Sequence, residues 1–219
     1  YNKSINHYNY QGVESTYKLG SIYSSALATF SLNNHWSWGT FNSYIHSDYD
    51  NYKSAYSANL AVEYNIFPYK NSQTKQLTFS TYLGGDYNFY KQKTIYFKDR
   101  EFRPIGQFRC QGYFNQSWGS VSFGLSHVAL LNEWKLNNTN INANIDARIY
   151  KGFSISLYAS ASLIRNQINL PLNGASMDEV LLQQQVLATN YSYYSSISFN
   201  YRFGSIYNNV VNTRFQNEF

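Results

Sequence analysis

Residues 140–163 constrain this chain more than any other stretch. Ile141, Ala143, Ile145, Ala147 and Ile149 alternate with Asn140, Asn142, Asn144, Asp146 and Arg148. Beyond Lys151-Gly152, Phe153, Ile155, Leu157, Ala159, Ala161 and Leu163 alternate with Ser154, Ser156, Tyr158, Ser160 and Ser162. Successive strand residues point to opposite faces, so this hairpin has one apolar and one polar face. Strands of this length, tightly joined and repeated along the chain, predict an all-β transmembrane antiparallel up-and-down β-barrel with lipid outside and a polar interior. At roughly 20 residues per strand and connection, 219 residues suffice for about 8–12 strands.

Counting back from the C-terminus places ten strands. The last, Tyr193–Phe203, turns Ile197, Phe199, Tyr201 and Phe203 to one side and Ser196, Ser198, Asn200 and Arg202 to the other. Phe199, Tyr201 and Phe203 resemble the C-terminal insertion signal of bacterial outer-membrane barrels. With this strand descending to the periplasm, 153–168, 119–131, 75–90 and 38–47 ascend, while 138–150, 103–115, 54–66 and 20–32 descend. Residues 2–12 supply the tenth strand, with Gly12–Gly20 as a loop. Short periplasmic turns at Asn33–Trp36, Gln116–Gly119 and Lys151–Gly152, with a longer one at Pro68–Thr74, oppose outer loops at Lys91–Phe102 and Gln167–Thr189. That asymmetry is expected of such barrels. Ser176 and Glu179 have capping-box spacing, which predicts a short rim helix through Val180, Leu181 and Leu187. The barrel domain thus covers 1–204, with 1–19 as the first strand and its loop. Residues 205–219 form a periplasmic tail, whose Ile206, Tyr207, Val210, Val211 and Phe215 are a candidate partner-binding surface. The chain does not open on Met, so the expectation is that an export signal has been removed and that more domain lies upstream.

Mean hydropathy is −0.48, and no apolar run approaches the roughly 20 residues of a membrane helix. An alternating barrel escapes that test. The 23 Tyr suit lipid–water interfaces. Trp36, Trp38 and Trp118 fall at periplasmic turns and Trp134 in an outer loop; with Tyr64, Phe67 and Tyr69 they read as interface girdles. The net charge of +5 is scattered, which argues against nucleic acid and suits anionic lipid headgroups such as lipopolysaccharide. Cys110 stands alone, so no intrachain disulfide forms; it shares the apolar face of Phe108, Gly112 and Phe114. His7, His35, His46 and His127 lack metal-ligand spacing, no phosphate-binding glycine loop occurs, and no cofactor is implied.

Six charges take inward positions: Glu63, Asp86, Arg109, Asp146, Arg148 and Arg202. The first expectation is a structural network filling a narrow lumen, since buried charges must be paired or hydrogen-bonded. The alternative is a selective pore or ligand site. A third reading places a hydrolase at the outer rim, where His46, Ser47, Asp48 and Asp50 cluster; adjacent strand residues, however, point to opposite faces. A protein without enzymatic activity is therefore expected.

The strings NHWSWG (34–39), EYNIFPYKNS (63–72), SWGS (117–120), NQINLPLNGAS running on to MDEVLLQQQVLATNYSY (166–193) and NYRFGSIYNNVVNTRF (200–215) resemble the C-terminal barrel of a poorly characterised Bacteroidota outer-membrane family. Thr213 stands where Pro is common. The resemblance implies an outer-membrane barrel and supplies no activity, catalytic residue or ligand. The resulting expectation is a structural or accessory subunit of a larger outer-membrane complex serving uptake, secretion or barrel assembly, with other outer-membrane proteins as partners. An outer-rim hydrolase and a narrow solute channel are the alternatives.

Overall fold

The computed structural model describes residues 2–10, 13–173 and 189–202, with side chains described from residue 19 onward. Its strands are β1 (Asn2–Tyr10), β2 (Val13–Ser31), β3 (Trp36–Ser47), β4 (Tyr52–Asn65), β5 (Lys75–Tyr90), β6 (Arg100–Gln116), β7 (Gly119–Leu130), β8 (Glu133–Tyr150), β9 (Phe153–Ile164) and β10 (Tyr191–Tyr201). They form one sheet in the order β1 to β10, every neighbouring pair antiparallel. Among the described residues the sole helical element is a 3-10 turn at Tyr69–Asn71.

This is the up-and-down meander expected from the alternation. The β8–β9 hairpin is in the expected register, with Ile145 opposite Leu157 and Asn144 opposite Tyr158. Gly152 closes its turn at φ 76°, a conformation that costs glycine little. Several boundaries differ from expectation, among them the end of β9, at Ile164 rather than 168. Residues 13–19 are strand rather than loop, because they pair with β1 from Leu19 opposite Ser4 to Val13 opposite Tyr10. β6 begins at Arg100, and β8 at Glu133, so Trp134 lies within a strand. The rim helix, Phe203 and the tail with Ile206, Tyr207, Val210, Val211 and Phe215 lie outside the described residues.

The sheet is inside out by the standard of a water-soluble protein. Its most deeply buried side chains are Asn65, Thr78, Thr94 and Ser37, whereas Leu60 is 64% and Phe199 68% exposed. Ordinary cores bury Leu and Phe and expose Asn and Ser. The sheet curls with its polar face inward. Asn169 reaches the β3–β4 turn only five residues past the end of β9. A flat sheet would hold β9 and β4 about 24 Å apart. On the way Ile168 packs on Leu130 and Leu136, with Ile105 beside them. The ten strands are thus arranged as an up-and-down β-barrel.

Candidate functional site

Cross-strand register assigns each side chain to a face, because residues paired across an antiparallel ladder point the same way. Glu63 pairs with Ser37 and Ser80, Asp86 with Ser57 and Arg103, and Arg109 with Ser80 and Ser126. Asp146 pairs with Ser120 and Ser156, and Arg148 with Ser154. Five of the six inward candidates therefore share the polar face. Arg202 follows β10, its backbone N–H donating to the Gly152 carbonyl.

These residues do not pair with one another by charge. Arg109 lies over the Tyr82 ring, 4.7 Å from its centroid, and donates to Gln107, which donates to Ser126. Asp146 accepts from Asn144 and Ser156. Glu63 is hydrogen-bonded to Tyr69, whose hydroxyl is 2.6 Å from Ser37 Oγ. Tyr69 thus turns from the 3-10 element into the lumen; it does not join an interface girdle, because buried Ser37 and half-buried Glu63 claim its hydroxyl.

The sheet has a short-turn end, with connections such as 117–118 and 151–152, and a long-loop end, with connections 91–99 and 165–190. Three connections interlock across the long-loop end. Asn51 Nδ2 donates to the carbonyls of Gln92 and Asn169, and Asn169 Nδ2 donates to that of Asp50. Thr94 forms an antiparallel bridge with Pro171. Beneath them Arg103 and Glu101 make a buried ion pair of 2.7 Å, and Glu101 accepts from the Tyr90 hydroxyl. Sequence reasoning missed Arg103 and Glu101. They continue the inward parity of Arg109; placing Lys91–Phe102 in a loop hid Glu101, and with it the partner of Arg103 at the start of the expected strand.

At the rim, the two candidates for nucleophilic chemistry separate. His46 pairs with Ile22 on the apolar face and Ser47 with Ser21 and Tyr52 on the other. Ser47 donates to Asp50 at 2.7 Å, while His46 Nδ1 sits 2.8 Å from the Lys53 carbonyl and Nε2 3.5 Å from Asp48. No activated serine results. Burial alone would raise the Asp48 carboxyl, but the hydrogen bonds and charge of Lys91, the Gly20 N–H and His46 outweigh it and hold the group below the usual aspartate range. Among the described residues no His, Cys, Asp and Glu side chains group as a metal site.

The opposite wall is more open. At the short-turn end, β6 to β10 enclose a cavity of about 770 Å³, lined among others by Asp146, Arg148, Lys151, Ser154, Asn200 and Arg202. On the apolar face, a groove of about 520 Å³ crosses β2 to β6. Its floor includes Ala26, Asn42, Ala58 and Gly85, and Tyr44, Tyr56, Tyr87 and Phe102 stand along one edge.

Comparison with known proteins adds little beyond this geometry. No protein-family model and no curated protein matches the chain. A similar solved structure is the NanC porin in a rhombohedral crystal form, with a TM-score of 0.47 and 11% identity, each chain covered over 91% of its length.

Proposed function

We propose that this chain is a bacterial outer-membrane β-barrel without enzymatic activity, long loops outward and C-terminus periplasmic. In this reading it acts as a structural or accessory subunit of a larger outer-membrane assembly. The membrane part is supported by two aromatic belts on the apolar face. Tyr44 and Tyr56 meet near the long-loop end; Phe30 with Trp38, and Trp36 with Tyr64, meet near the other. Tyr56 and Tyr64 are about 27 Å apart along the strand, or about 20 Å in height at a tilt of about 40°, close to the apolar band of such barrels.

One observation carries the subunit part. Across β2–β3 the alternation fails: Ser24, Thr40 and Asn42 stand on the apolar face, while Leu27 opposite Phe41 and Tyr23 opposite Ile45 stand on the polar one. Polar side chains facing hydrocarbon are costly and favour protein partners that can hydrogen-bond them. Purification from native membranes in mild detergent is expected to give a co-migrating outer-membrane protein that Asn42→Leu weakens. Recovery of the wild-type chain solely as a monomer would overturn the subunit reading.

A narrow solute channel is the second reading, favoured by the polar cavity between β6 and β10. The interlocked connections at the long-loop mouth tell against it. Planar-bilayer recordings are expected to be silent, and steady single-channel currents would reverse that preference.

A further inference from the structure

The short-turn cavity carries an imbalance of charge. Arg148, Lys151 and Arg202 line it, against the single carboxylate of Asp146. That carboxylate is already engaged, accepting from Asn144 and Ser156. Among the described residues neither Arg148 nor Arg202 has an ion-pair partner; the ion pairs there are Asp48 with His46 and Lys91, and Arg103 with Glu101.

Register fixes how the two guanidinium groups are presented. Arg148 on β8 pairs with Ser154 on β9, which pairs with Asn200 on β10. Arg202 lies two residues beyond Asn200, tied through its backbone to Gly152. The two arginines therefore rise from strands two spacings apart, about 10 Å, with the hydroxyl of Ser154 and the amide of Asn200 between them. Arginine forks match phosphate and carboxylate oxygens in pairs, and a concavity in which cations outnumber carboxylates concentrates anions.

We propose that this cavity is a binding site for a small free oxyanion, phosphate- or carboxylate-bearing, clamped between Arg148 and Arg202, with Ser154 and Asn200 donating to its remaining oxygens and Lys151 at the entrance. The inference goes beyond the subunit reading and rests on the polar face being the barrel interior.

The test uses the full chain in a neutral detergent, titrated with inorganic phosphate against chloride at constant ionic strength and followed by calorimetry. Saturable binding is expected. Arg148→Gln and Arg202→Gln should each weaken it roughly tenfold or more, the scale of a charge-assisted hydrogen bond. Lys135→Gln, the same charge change placed in β8 near the long-loop end, should leave it unaltered. Absence of saturable phosphate binding, or an equal loss in Lys135→Gln, would overturn the proposal. Tighter binding of short-chain phosphatidylglycerol than of phosphate would assign the site to a lipid headgroup and overturn the free-anion reading. A chain that migrates alone yet binds phosphate would sink the subunit reading and leave this one standing.

Discussion

Leu157 and Ser156 are neighbours in sequence with opposite surroundings. Leu157 lies between Ile145 and Ile197 on the apolar face, and Ser156 donates to Asp146 on the other. Replacing Leu157 by Arg should cost about 2–4 kcal/mol if it sits near the bilayer midplane. Ser156→Ala should cost about 1 kcal/mol, the net value of one hydrogen bond. Urea unfolding from lipid vesicles would check the ratio, and equal costs would contradict the assigned faces. Such facing was legible because the alternation names it residue by residue. Gly84 shows what was not: a Cβ there would collide with the Ala58 carbonyl and the Asn59 backbone across the β4–β5 ladder, a closeness that no local pattern encodes. Asp48 gives a pH dependence. Its carboxyl is held below the ordinary value of 3.8, so its ties to Lys91 and Gly20 contribute stability above that value. They are lost as pH falls through the lower folded one. Amide exchange at Gly20 should therefore stay slow at neutral and mildly acidic pH and quicken only below the usual aspartate range.

At the scale of elements, β8 and β9 could be read directly, while β2 and β6 could not be bounded. β2 runs from Val13 because its first residues pair with β1, a constraint set by the partner strand rather than by its own weak pattern. β6 starts at Arg100 because Arg100 pairs with Phe89, Glu101 with Asn88 and Phe102 with Tyr87, which draws three apparent loop residues into the ladder and buries the Glu101–Arg103 pair. The long connection after β9 is anchored by Ile168 on Leu130 and Leu136 and by polar contacts that no alternation announces. Asn169 is 9% and Asn51 3% exposed, and together they hold the described part of that connection against the β3–β4 turn. Asn169→Ala removes the donor to the Asp50 carbonyl and should cost about 1–3 kcal/mol locally. Protease added to intact vesicles should then cut within 165–173 at least several-fold faster than in the wild-type chain, while the heat-modifiable gel shift persists. An unchanged cutting rate would mean that Asn169 does not hold the loop.

At the scale of the molecule, the two sides of the barrel differ. On the β3–β6 side the interior is filled by Tyr69 and Glu63 at one end and by the Tyr90–Glu101–Arg103 cluster at the other. On the β6–β10 side a polar cavity remains. Fold class and strand number were legible in the sequence because strands such as β8 and β9 carry a two-faced pattern and strand-length segments recur along the chain. This lateral division was not, since it depends on which connections fold inward. Both proposals presuppose that the apolar face meets hydrocarbon and the polar face lines the interior. The most direct test is to place a single spin label in turn at residues 141 to 148 of the chain in bilayers, with Cys110 replaced by Ser, and measure collision with oxygen and with a water-soluble nickel chelate. The account predicts a period of two, with oxygen favoured at 141, 143, 145 and 147 and nickel at 142, 144, 146 and 148. A profile without alternation, or with the two sets exchanged, would contradict it.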